Sequence, residues 1–140
     1  MRVVVFGTFD PLHAGHVDFF RQARQSGGQA RAHLTVVVAR DSWIRLVKRR
    51  EPRQSEERRL AEVARQQGVD EVRLGDEWPA ADLYRLLGEL DFDVLALGYD
   101  QTPREKTVRE ELRRRGKDTV RVVTLQPFQP DEYKSSLVHD

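Results

Sequence analysis

Val3-Val4-Val5-Phe6-Gly7-Thr8-Phe9-Asp10-Pro11-Leu12-His13-Ala14-Gly15-His16 is the stretch from which the rest of the chain can be read. Four consecutive apolar residues suit a strand covered on both faces. Gly7 ends the run, a tight loop follows, and from about His16 to Ser26 the residues Val17, Phe20 and Ala23 recur at helical spacing before Gly27-Gly28 stop the helix. A strand, a glycine turn and a helix in that order aim loose backbone N–H groups and the positive end of the helix dipole at one point. His13 and His16 add two imidazoles on the same turn. The stretch therefore reads as a phosphate-handling turn.

Working outward, further β-rich runs occur at Leu34–Ala39, Glu71–Leu74, Val94–Leu97 and Val120–Leu125. Helix-like stretches separate them. Asp41–Arg50 reads as a short helix broken by Pro52, and Ser55–Gln67 as another, with Ser55 as cap and Glu56 and Glu57 suited to the N-terminal dipole. Pro79 opens a helix carrying Leu83, Leu86, Leu87 and Leu90, and Thr102-Pro103 opens one that Gly116 closes. Strand and helix in alternation imply a doubly wound, Rossmann-like α/β domain; we expect five parallel strands in the order 3-2-1-4-5. Residues 1–140 are read as one domain, with 127–140 as a proline-punctuated tail. In such a sheet, ligands bind beyond the carboxyl ends of the strands, near the reversal of strand order. Gly7–His16, Ala39–Ser42 and Gly98–Gln101 all fall at such ends.

Composition narrows the classes. A chain of 140 residues with 39% apolar and 34% charged residues can bury a core, and its lack of cysteine excludes disulfides, thiolate metal sites and thiol nucleophiles. No apolar segment approaches the roughly 20 residues of a membrane span, so neither signal peptide nor anchor is expected, and a cytoplasmic location follows by default. A net charge of +1 gives no case for nucleic-acid binding.

Gly7–His16 resembles the Gly-x-Phe-Asp-x-x-His-x-Gly-His signature of the nucleotidylyltransferase superfamily, in its cytidylyltransferase-like group. The resemblance implies that His13 and His16 contact a triphosphate and stabilise the transition state, with Gly7, Thr8 and Phe9 supplying backbone contacts. It also implies that Asp10 orders the loop, that Gly15 leaves room for the nucleotide, and that magnesium clamps the phosphates, with no protein metal ligand assigned. More loosely, Lys48 matches a lysine that reaches phosphates across the cleft, and Arg58 an arginine on the acceptor side. Lys48 also sits among Arg45, Arg49 and Arg50, a run that suits a solvated basic face, and Arg58 suits an exposed helical pair with Glu62.

Gly98-Tyr99-Asp100-Gln101 and Ala39-Arg40-Asp41 are similar to segments of archaeal-type FAD synthases, which places Gly98, Tyr99 and Asp100 on the nucleotide and Asp41 on the acceptor. Lys134-Ser135-Ser136 resembles the start of a motif whose hydroxyls hold phosphates. Two departures stand out: Pro130-Asp131-Glu132 occurs where the family has an arginine upstream of the serines, and the cysteines of archaeal-type FAD synthases are missing. The expected reaction is transfer of AMP from ATP to FMN. The alternatives are CTP-dependent transfer to glycerol 3-phosphate or another phosphorylated alcohol, and a non-catalytic nucleotide-binding module. A homodimer is a further expectation.

Overall fold

In a computed structural model, which describes residues 1–28, 32–76, 83–99 and 104–127, five strands alternate with helices. The strands are β1 (Arg2–Gly7), β2 (His33–Val38), β3 (Glu71–Leu74), β4 (Val94–Leu97) and β5 (Arg121–Thr124). The helices are α1 (Ala14–Ser26), α2 (Asp41–Trp43), α3 (Glu56–Ala64), α4 (Leu83–Glu89) and α5 (Glu105–Arg114), and α2 continues into wider π-helical turns over Ile44–Lys48. All strand pairings are parallel, in the order β3-β2-β1-β4-β5. This is the expected order.

The continuous apolar character of β1 has a direct structural cause. Val3 and Val5 enter one core layer with Phe20 and Ala23 of α1 and Val63 of α3, whereas Val4 enters the opposite layer with Leu86 and Leu87 of α4 and Val108 and Leu112 of α5. Strand residues alternate between faces, so a strand covered on both sides must be apolar throughout. β3 lies at the sheet edge and alternates exposed with half-buried residues, as one-sided cover requires.

Two readings change in detail. Val17 is not a core residue: it is 49% exposed, and the buried face of α1 is His16, Phe20 and Ala23. Positions i, i+4 and i+7 counted from His16 form the stripe, and Val17 stands about 100° round the helix from it. The helix expected over Asp41–Arg50 loses its α-helical winding after Trp43 and ends with Arg49 in the left-handed region, φ 59°. Ser55 caps α3, accepting a hydrogen bond from the Arg58 N–H, and Gly116 closes α5 at φ +77°. Pro79, Thr102-Pro103 and the chain beyond Pro127 lie outside the described residues. Among the described residues no helix is long and apolar enough to cross a membrane.

This topology gathers the site. β1 has β2 on one side and β4 on the other, so the segments leaving the carboxyl ends of β1, β2 and β4 emerge side by side. α1 must pack closely on β1 for its N-terminus to reach that edge. A Cβ on Gly27 would lie 2.3 Å from Val3 Cγ2 and 3.1 Å from the Ala32 Cβ, whereas one on Gly88 in α4 would meet open space. Gly27→Ala is therefore expected to lower the unfolding free energy by about 2 kcal/mol through overpacking. Gly88→Ala should raise it by about 0.5 kcal/mol through helix propensity. Urea denaturation of both variants checks the pair of signs.

Candidate active site

The turn after β1 is held from below by Phe9. This residue takes φ 52°, a left-handed conformation that costs a non-glycine residue roughly 1–2 kcal/mol, and its ring is only 2% exposed. Burial against Phe20, with ring centroids 5.4 Å apart, and edge-on contact with His16 at 5.0 Å offset that cost. Gly7 is required by the same ring, since a Cβ there would lie 2.9 Å from Phe9 Cζ. The Asp10-Pro11 peptide bond is cis.

The two histidines form the cap of α1. His13 is the N-cap residue: its Nδ1 accepts from the Gly15 N–H at 3.0 Å, and the His13 N–H donates to His16 Nδ1 at 3.2 Å. The rings stack with centroids 3.7 Å apart. Because each Nδ1 is an acceptor, each neutral ring carries its proton on Nε2, and the Nε2 of His13 is buried. The usual Ser or Asp cap is replaced by imidazoles, each of which engages the helix start through one of its two nitrogens.

Behind the turn, two arginine–carboxylate clusters fix the loops. The Asp10 carboxylate has no exposed surface and accepts from Arg50 Nη1 at 2.9 Å and from the Arg53 and Gln54 N–H groups, both at 2.8 Å. Burial alone raises the Asp10 pKa, but these donors outweigh it and hold the group below the ordinary aspartate value of 3.8. Arg59 is fully buried on α3; it donates to the carbonyls of Gln54 at 3.1 Å, Thr8 at 2.9 Å and Ala39 at 2.7 Å, and to Asp41 Oδ1 at 2.7 Å. Glu56 completes the lattice, accepting from Arg40 Nη1 at 2.9 Å and from the Asp41 N–H at 2.8 Å.

Of the residues singled out in the sequence, Gly7, Thr8, Phe9, Asp10, His13, Gly15 and His16 share this turn, and Asp41 is bound to it through Arg59. Gly98 and Tyr99 lie half-buried just past β4, where the Tyr99 carbonyl accepts from Arg104 at 2.8 Å. Lys48 is exposed, its Nζ 5.9 Å from the Trp43 ring centroid, and Arg58 is exposed on the outer side of α3. Asp100, Ser135 and Ser136 lie outside the described residues. Toward that tail, the Gln22 and Gln126 side chain and backbone exchange two hydrogen bonds of 2.9 Å each, which fixes the exit of β5 to α1.

Sequence reading gave no part in the site to Arg53, Gln54 and above all Arg59, and took Arg50 for part of a basic face and Glu56 for a partner of the α3 dipole. A signal for Arg59 existed: Ser55 sets the register of α3, and in that register Arg59 and Val63 occupy i and i+4 on the buried face. Among the described residues there is no group of three His, Cys, Asp or Glu side chains placed to hold a metal ion.

A parallel five-stranded α/β domain with an imidazole-capped helix at the topological switch point defines a nucleotidyltransferase-type domain, and the chain belongs to the cytidylyltransferase-like family, whose model matches residues 4–139. Its similarity to particular proteins extends over nearly the whole chain. A FAD synthase from Archaeoglobus profundus is 41% identical over 136 residues, which cover 97% of this chain and 81% of that protein. A FAD synthase from Korarchaeum cryptofilum is 42% identical over 137 residues, with 98% and 88% covered. The crystal structure of the lipopolysaccharide core biosynthesis protein from Thermoplasma volcanium superimposes with a TM-score of 0.81 at 32% identity, covering 91% of this chain and 98% of that one.

Two outcomes follow from the clusters. A carboxylate with a lowered folded-state pKa stabilises the fold above its unfolded value and loses that contribution as pH falls through the folded one. Stability should thus decline on acidification below 3.8, and less steeply in Asp10→Asn, whose amide NH2 faces N–H donors and costs about 3 kcal/mol at neutral pH. Urea titrations across that pH range measure both effects. Arg59→Lys, which replaces a planar fork by one nitrogen, should cost about 3 kcal/mol. Arg58→Lys should stay within about 0.5 kcal/mol.

Proposed function

We propose that the chain transfers AMP from ATP to FMN, giving FAD and pyrophosphate. The observation that carries nucleotidyl transfer is the pair of Nε2–H donors held at the N-terminus of α1 by the helix cap itself. Similarity to archaeal FAD synthases along the chain supports FMN as acceptor.

The chemistry suits this arrangement. The terminal phosphate of FMN has a second pKa of about 6, so at neutral pH it is an anionic nucleophile that needs no strong base. One of its oxygens forms a bond to the α-phosphorus as the bond to the bridging β-oxygen breaks, and pyrophosphate leaves with that electron pair. The protein contributes position and charge stabilisation. In our reading His13 and His16 donate to phosphate oxygens as charge shifts, and the backbone of Gly7, Thr8 and Phe9 lines the nucleotide. Gly15 leaves the space that a side chain would fill. Gly98, Tyr99 and Asp100 bind the nucleotide from the β4 end, and Ser135 and Ser136 hold its outer phosphates. Lys48 reaches phosphate across the cleft, and Asp41 and Arg58 serve the acceptor side.

The carboxylates nearest the turn, Asp10 and Asp41, are engaged by Arg50 and Arg59, a donor set that fits a magnesium ion carried in on the triphosphate. When bound, that ion neutralises phosphate charge and orients the leaving group. The reading includes a cytoplasmic location, no nucleic-acid partner, and a homodimer, the commonest closed assembly.

Chromatography of reactions pairing ATP or CTP with FMN or glycerol 3-phosphate, with pyrophosphate release measured alongside, tests the assignment. FAD formation is expected; CDP-glycerol without FAD would overturn the acceptor, and nucleotide binding without any pyrophosphate release would overturn the enzyme. His16→Ala should lower kcat about a hundredfold with a smaller change in KM for ATP, the loss of one transition-state donor worth on the order of 3 kcal/mol. His33→Ala should leave turnover unchanged, because His33 begins β2 at the end of the sheet opposite the site. Steady-state kinetics on the two folded variants measures the contrast.

A further inference from the structure

Four large apolar side chains are exposed among the described residues: Met1 at 62%, Val17 at 49%, Leu46 at 56% and Val47 at 42%. Apart from Met1 at the chain start, all belong to the two segments leaving the carboxyl ends of β1 and β2. Val17 follows His16 directly, and Leu46 and Val47 lie on the π-helical turns after α2.

Those turns are fastened to the phosphate turn at both ends. Upstream, Asp41 is bound to Arg59, which donates to the Thr8 carbonyl; downstream, Arg50 is bound to Asp10. Between the anchors Ile44 is fully buried, while every residue from Arg45 to Arg49 is exposed. The exposed run is therefore a fixed surface at the edge of the site, and it combines an apolar pair with the cations Arg45, Lys48 and Arg49. Arg45 is partly neutralised by Glu51 at 3.0 Å, and Lys48 lies over the Trp43 ring. π-Helical turns are rare and are frequently found at functional sites. Apolar side chains left in water beside cations suit a ligand with a broad apolar ring at one end and a phosphomonoester at the other.

We propose that the turns over Ile44–Lys48 form the acceptor subsite, in which Leu46 and Val47 seat the isoalloxazine ring of FMN while the neighbouring cations attract its phosphate. This rests on FMN being the acceptor, as proposed above, and it supplies a reason for that preference. Glycerol 3-phosphate has the phosphate but no ring to cover Leu46 and Val47.

The test is Leu46→Ser combined with Val47→Ser, two exposed positions whose replacement leaves the core intact. FMN binding is followed by flavin fluorescence, ATP binding by calorimetry, and mass by light scattering. The expected result is FMN affinity weakened at least about tenfold, with ATP affinity and mass unchanged. Wild-type protein that makes FAD and a double variant that binds FMN equally well would overturn the subsite and leave the proposed function standing. A halved mass in the double variant would also overturn it, assigning the patch to contact between two copies of the chain. Wild-type protein that neither binds FMN nor makes FAD would remove the acceptor assignment, and the subsite with it.

Discussion

The guanidinium of Arg59 is the point on which the site depends. It is fully buried, and stripping such a cation of water is costly unless its N–H groups all find acceptors. Here the carbonyls of Thr8, Ala39 and Gln54 and the Asp41 carboxylate receive them. Those acceptors come from the turn after β1, the segment after β2 and the approach to α3. No carbonyl can move away without taking an acceptor from a buried guanidinium N–H. Three chain segments with little regular structure of their own thereby become one floor.

That floor also solves an electrostatic problem. Bare carboxylates beside the turn would repel any anion brought to it, yet Asp10 and Asp41 both belong to the turn's own lattice. Each is turned onto an arginine: Asp10 onto Arg50 and Asp41 onto Arg59. The helix ends follow the same logic. α3 and α5 place Glu56, Glu57 and Glu105 in their first turns, where a carboxylate compensates the positive end of the dipole. The first turn of α1 has no acidic residue, so no carboxylate there compensates its dipole.

The fold was legible because the strands carry their own evidence. A run such as Val3–Phe6 has no polar position, so it must be covered on both faces, and the alternation with helices then fixes a parallel sheet. That Gly7–His16 would share one turn was legible because its residues are consecutive. The supporting lattice was not, because Asp10 and Arg50, or Thr8 and Arg59, are far apart in sequence and meet only through β2 and the α3 register. Arginine pairs poorly with pattern reading for a further reason: Arg58 and Arg59 are identical in type, and only the helical phase makes one solvent-facing and the other the centre of the site. Val17 was misplaced by a related ambiguity, since a helix with apolar residues at 17, 20 and 23 and a histidine at 16 admits two buried stripes until His16 is known to be buried.

The cap of α1 shows why stability and chemistry cannot be separated in this turn. A Ser or Asp at position 13 would cap the helix as well as histidine does. Its remaining hydrogen-bonding capacity would stay on the same short group, beside the cap itself. Imidazole has two nitrogens on opposite sides of the ring, so Nδ1 can accept an N–H at the helix start while Nε2 carries the ring's proton. Stacking of the two rings and the edge-on contact of His16 with Phe9 then fix the direction of both donors. The orientation of both rings is set during folding, by the same hydrogen bonds that start the helix, which is the preorganisation that the role proposed for them in charge stabilisation calls for.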